Sequence, residues 1–185
     1  MRSGWVFFAA SLAFLTSCSS PAKKSAEPAK KPAVVRPSDS FETNAAVSLA
    51  VSDGANLTSF AAMAKSSGKA YAVFQYSGVT CQSCQEHSPK VQADLSNLSN
   101  VARIVVFPNT IGAYTETEYQ GFISQYASGA DRLIDHTQLV LKSIRADKNQ
   151  FFGIYVVVRA SDGKAMVLNE SDAHLTVYGL VKNLK

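Results

Sequence analysis

Three cysteines stand in this 185-residue chain, and two of them form the tetrad Cys81-Gln82-Ser83-Cys84. Two intervening residues place Cys84 one helical turn beyond Cys81, within reach of a short disulfide. Ser77-Gly78-Val79-Thr80 reads as a turn ahead of the pair. Cys81 to Leu98 then has helical spacing, with Val91, Leu95 and Leu98 on one face. Cys81 therefore falls at a helix start, where unpaired backbone N–H groups and the helix dipole stabilise a thiolate. Since only the thiolate attacks a disulfide, this placement suits thiol–disulfide exchange. Two other chemistries use the same residues. In an oxidising compartment the pair can be a structural staple. His87 completes Cys81-x2-Cys84-x2-His87, a metal-ligand spacing, although a lone histidine on such a helix is more often a surface residue. Peroxidase chemistry is disfavoured, because there is no Pro-x3-Thr-x2-Cys arrangement and Thr80 directly precedes Cys81. His136 and His174 lack triad spacing. Tyr114, Tyr119, Tyr126 and Phe151-Phe152 read as core or groove wall, and Asp135 as a turn residue.

The third cysteine belongs to a different chemistry. Arg2 is followed by an apolar run, Trp5 to Leu15. Eleven residues at about 1.5 Å each span far less than a hydrocarbon core of roughly 30 Å, which suits a secretory leader and not a membrane span. Leu15-Thr16-Ser17-Cys18 closes it and resembles a lipobox, whose cysteine is acylated; the alternative is an ordinary cleaved leader with a chance cysteine. The expected membrane contact is lipid at the N-terminus. Residues 19–40 hold four of the six prolines with Ala, Lys and Ser, and read as a disordered tether. Residues 1–40 carry six Lys/Arg against two Asp/Glu, and residues 41–185 carry twelve of each. The basic balance thus belongs to the leader and tether, where it suits an anionic lipid surface. No aromatics are interleaved, and no nucleic-acid partner is expected. The expected organisation is a leader over 1–18, a tether over 19–40 and one domain over 41–185.

Stepping through that domain, strand and helix patterns alternate. Ala46 to Val51 reads as a first strand and Leu57 to Ala64 as a helix ended by Ser66-Ser67-Gly68. Ala70 to Tyr76 reads as a buried strand ahead of the Cys81 helix. Val101 to Phe107 is a strand stopped by Pro108-Asn109. Glu116 to Tyr126 is a helix with Tyr119, Phe122, Ile123 and Tyr126 inward. Leu133-Ile134 is extended and Thr137 to Ile144 helical. Gly153 to Arg159 and Ala165 to Leu168 flank Ser161-Asp162-Gly163 as a hairpin, and Asp172 to Leu184 is a closing helix. This alternation implies an α/β fold with a mixed sheet.

Leu57 to Phe107 resembles the thioredoxin superfamily: helix, Ser67-Gly68-Lys69 turn, buried strand, CxxC at a helix start, and Pro89 five residues after the second cysteine. The later stretch resembles the membrane-anchored, TlpA-like and ResA-like branch, through Phe122-Ile123-Ser124-Gln125-Tyr126, Leu133-Ile134-Asp135, and Tyr155 to Val158 before Asp162-Gly163. The resemblance covers roughly residues 55–185. It implies a thioredoxin-like fold, a central mixed sheet flanked by helices, with Cys81 as attacking thiol and Cys84 as resolving thiol. The redox group it implies is the Cys81–Cys84 disulfide itself, with no bound cofactor. The implied partners are exported thiol or disulfide proteins and a redox partner, at the periplasmic face of a bacterial membrane. Ser19 is not the aspartate that retains lipoproteins at the inner membrane in enterobacteria, which favours the outer one. Three positions depart from the family. Thr80 replaces a tryptophan, and Gln75 stands where an acidic residue or Asn is usual. No proline follows Pro108, so the family's cis-proline position falls on Ile154, or on Gly153 or Tyr155 if the loop length differs. The expected substrate groove is therefore Thr80, Gly153, Ile154 and Tyr155, and metal binding at Cys81, Cys84 and His87 is less excluded than in relatives that keep the proline.

Overall fold

The computed structural model describes residues 41–53, 56–108, 114–144 and 153–169. The leader, the tether, Cys18, Phe151-Phe152, His174 and the expected closing helix lie outside the described residues. Two strands, β1 (Val51–Asp53) and β2 (Asn56–Thr58), form a small antiparallel pair. The main sheet holds β3 (Tyr71–Tyr76), β4 (Val101–Pro108), β5 (Asp131–Asp135), β6 (Ile154–Arg159) and β7 (Ala165–Asn169), in the order β5-β4-β3-β6-β7. β3, β4 and β5 run parallel, and β6 and β7 are antiparallel to their neighbours. Among the described residues four α-helices accompany it: α1 (Phe60–Ser66), α2 (Gln82–Ser96), α3 (Glu116–Tyr126) and α4 (Leu139–Ile144).

The alternation of side chains along each strand assigns the two faces. Ala72, Phe74 and Tyr76 of β3 pack with Ile104, Val106, Ile154, Val156 and Val158 against Phe60 and Ala64 of α1 and Val140 and Leu141 of α4. The opposite set, Val73, Val101, Tyr155 and Val157, meets Val91 and Leu95 of α2. Val105 and Phe107 meet Tyr119, Phe122 and Ile123 of α3. Both faces are covered, so the central strands are continuous apolar runs, as buried parallel strands must be. Helices flank a mixed sheet, as expected.

The structure departs from the expected elements at several segment ends. The strand expected over Ala46 to Val51 begins only at Val51, the first residue of β1: Ala45–Ser48 is a short 3-10 turn, begun where the Asn44 side chain accepts the Ala46 N–H at 3.0 Å. Leu57 is in no helix but lies in β2, 73% exposed. Ser59 caps α1 by accepting the Ala62 N–H at 3.2 Å, so the helix starts at Phe60, and its buried pair is Phe60 and Ala64. Strand β4 runs through Pro108, which pairs with Asp135. The expected hairpin is present, with Val158 opposite Ala165. Helix α4 starts two residues late, because Gln138 has a positive φ of 53°.

Candidate active site

The tetrad sits where β3 hands the chain to α2. Ser77 continues the sheet by donating its N–H to the Val106 carbonyl at 3.0 Å. The turn then closes on itself, since the Gly78 carbonyl accepts the Cys81 N–H at 3.1 Å. The Gln85 side chain reaches back to donate to the Val79 carbonyl at 2.7 Å. Cys81 takes the N-cap of α2 with extended backbone, φ −77° and ψ 105°. Caps normally use a side-chain oxygen to accept an orphan N–H. Here the sulfur does so: the Cys84 N–H donates to Cys81 Sγ at 3.2 Å, and the Ser83 hydroxyl lies 3.4 Å from the same sulfur.

Cys81 and Cys84 are joined as a disulfide with Cα atoms 5.2 Å apart. The two sulfurs have different surroundings. Cys81 is half-buried, whereas Cys84 is 3% exposed among Val105, Phe107, Tyr119 and Phe122. An attacking thiolate therefore reaches Cys81. Once reduced, Cys81 has donors that favour its anion, while apolar packing disfavours the anion of Cys84.

Beneath the site, Gln75 is 1% exposed and fully engaged. Its amide N–H groups donate to the hydroxyls of Ser77, at 3.0 Å, and Ser88, and its carbonyl accepts from Gln92 Nε2 at 2.8 Å. Gln92 Oε1 is buried with no partner among the described residues. Ser88 and Gln92 were not anticipated from the sequence. Their signal is the i+4 stripe Cys84, Ser88, Gln92 on the buried face of α2.

Thr80 is exposed immediately before Cys81, and its Oγ1 lies 2.7 Å from the Tyr114 hydroxyl. The other expected groove residues are placed differently. Gly153, with φ 72°, donates its N–H to the Tyr76 carbonyl at 3.1 Å. Ile154 and Tyr155 are 1% and 2% exposed on opposite faces of the sheet, so neither side chain offers surface to a substrate. Nor do the metal candidates converge: among the described residues no group of three His, Cys, Asp or Glu is placed to hold an ion. His87 instead has Nδ1 2.9 Å from the Ser83 carbonyl, and both thiols are in the disulfide.

No family model and no curated protein matches the chain. Solved structures do. A secreted disulfide oxidoreductase of Mycobacterium tuberculosis, homologous to E. coli DsbE, aligns with a TM-score of 0.51 and 15% identity over 74% of this chain and 99% of its own. DsbF of the same organism, in mixed oxidized and reduced forms, aligns at 0.53 and 19% over 78% and 100%. A thioredoxin-like protein of Aeropyrum pernix aligns at 0.57 and 15% over 74% and 89%. At these identities the likeness is one of fold. This chain has the thioredoxin-like fold, with its Cys81–Cys84 disulfide at the start of the helix that follows the central strand.

Proposed function

We propose that the chain is a lipid-anchored, extracytoplasmic thiol–disulfide oxidoreductase acting on exported proteins. The observation that carries this reading is the asymmetry of the pair: Cys81 accessible and capped as an acceptor, Cys84 buried one turn further in. A staple needs no such asymmetry. In the reductive direction, the Cys81 thiolate attacks one sulfur of a substrate disulfide. The Cys81–substrate bond forms, the substrate S–S bond breaks, and the released substrate thiolate takes a proton. Cys84, deprotonated, then attacks the Cys81 sulfur. The internal disulfide forms and the second substrate thiolate leaves, so two electrons have passed from the pair to the substrate. The reverse sequence oxidises a substrate dithiol. Either direction balances without a bound cofactor, and a partner of the same chemistry restores the starting state. The neighbour described as a secreted disulfide oxidoreductase, and DsbF with its mixed oxidized and reduced forms, support the reading. For the location, the support is the Cys18 tetrad and the basic tether, which suit a lipid anchor on the periplasmic face, with Ser19 favouring the outer membrane. No helix among the described residues is long and apolar enough to cross a membrane.

Trapping tests the reading. Cys84→Ser removes the resolving thiol and should accumulate mixed disulfides with partner proteins through Cys81, whereas Cys81→Ser should accumulate few. Stoichiometric zinc or copper uptake by the reduced pair without adducts would instead establish a metal module. If both variants only lower the melting temperature, the pair is a staple in a binding domain.

A further inference from the structure

Resting on the exchange reading above, we infer that the Thr80–Tyr114 hydroxyl pair is the substrate-recognition contact of this site, taking a peptide carbonyl beside the substrate's cystine. The two oxygens are 2.7 Å apart across 34 positions of sequence, so one hydroxyl hydrogen is shared between them. Two hydroxyls carry two hydrogens, and the second remains to donate outward. Thr80 is exposed and adjacent to the accessible cysteine, so that donor sits beside the sulfur a substrate must reach. It is also held in place. The Tyr114 ring meets Tyr119 edge-on at 5.9 Å and packs on the same apolar cluster as Cys84. The next residue, Thr115, closes a capping box with Glu118 that starts α3. A held donor loses little freedom when it binds.

Among the described residues, several polar groups of the turn and of the first turn of α2 are already engaged. The Gly78 carbonyl holds the Cys81 N–H, and the Val79 carbonyl holds Gln85. The Ser83 hydroxyl faces Cys81 Sγ. Long-range attraction does not select the substrate either, because residues 41–185 carry equal numbers of acidic and basic side chains. A polypeptide cystine differs from a small synthetic disulfide in having peptide groups on both flanks. A neutral hydroxyl donor beside Cys81 discriminates on that difference.

The test compares two disulfides, an oxidised cystine-containing peptide and hydroxyethyl disulfide, which has no peptide group. In the double variant Thr80→Val, Tyr114→Phe, the ratio of kcat/KM for the peptide to that for hydroxyethyl disulfide should fall about fivefold, the worth of one neutral hydrogen bond. The loss should lie in KM. Each single variant keeps one hydroxyl and should fall less. An unchanged ratio overturns the inference. So does an equal loss on both substrates, which would mean that the pair only positions Cys81. If the unaltered protein exchanges with neither disulfide, the exchange reading itself fails, and this inference with it.

Discussion

At the scale of single residues, the site turns on which atoms stabilise a sulfur anion. Cys81 Sγ has a backbone N–H at 3.2 Å and the Ser83 hydroxyl at 3.4 Å, both in the first turn of α2. Together they should hold the reduced Cys81 thiol below the free value of about 8.5 and below Cys84. Removing the hydroxyl in Ser83→Ala takes one donor from the Cys81 anion and should disfavour the thiolate. The buried group underneath is an amide, Gln75, which does not titrate. The exchange rate should therefore rise with pH through a single ionisation, and S83A should move that profile to higher pH with its plateau retained. An unmoved thiol pKa, read from thiolate absorbance, would count against Ser83 as a donor. These residues differ in how readable they were. The cysteine pair is contiguous, so its spacing announces a turn of helix. The Ser88–Gln75–Gln92 network leaves a trace only in the i+4 stripe from Cys84. Tyr114 reads from the sequence only as core or groove wall, and its pairing with Thr80 leaves no trace, because the two lie 34 positions apart and are brought together by tertiary packing. Ile154 and Tyr155 read from the sequence as groove residues, but helices cover both faces of the sheet, so period-2 alternation buries each of them.

At the scale of elements, the junction between β5 and α4 carries a buried acidic side chain that the sequence suggests only as a turn. Asp135 is fully buried. Its Oδ1 accepts from the Thr137 N–H at 3.0 Å, the Thr137 hydroxyl at 2.8 Å and the Gln138 N–H at 2.9 Å. Oδ2 lies 3.4 Å from the Tyr76 hydroxyl, whose ionisation burial and the nearby carboxyl push to high pH, leaving it a donor. One side chain thus ends β5, orders the turn before α4 and ties both to the central strand. Asp135→Ala strands several donors at once and should cost about 2–4 kcal/mol in denaturant unfolding. Because it lies on the face opposite α2, the exchange rate of the surviving folded fraction should be retained; a stability loss under about 1 kcal/mol would show that the turn is held by something else. The elements that were legible share a physical cause. The central strands and α3 are long enough for their period to stand out, and Ser161-Asp162-Gly163 names the hairpin. The failures are short. β1 and β2 have three residues each, too few for a period, and exposed Leu57 supplied a false helical spacing.

At the scale of the whole molecule, the charge is partitioned. Residues 1–40 hold an excess of four positive charges and residues 41–185 hold none. A domain without net charge does not draw partners by a net field. Its encounter rate depends on confinement, which a lipid anchor and tether would supply. On the proposed anchoring, substrates at the same membrane surface would be met at a raised effective concentration. A single acyl chain holds only marginally, so in the proposed anchor the lysines of residues 19–40 on anionic lipid would supply a second signal. Anchoring and exchange should then separate cleanly. In the full-length chain, Cys18→Ser should remain unprocessed or leave the membrane fraction, while the Cys81–Cys84 pair exchanges with a soluble disulfide as before, because Cys18 takes no part in the thiol chemistry. Exchange with membrane-associated substrates should fall, and supplying the variant at high concentration should restore it. Unchanged fractionation and acylation in C18S would refute the anchor without touching the redox assignment.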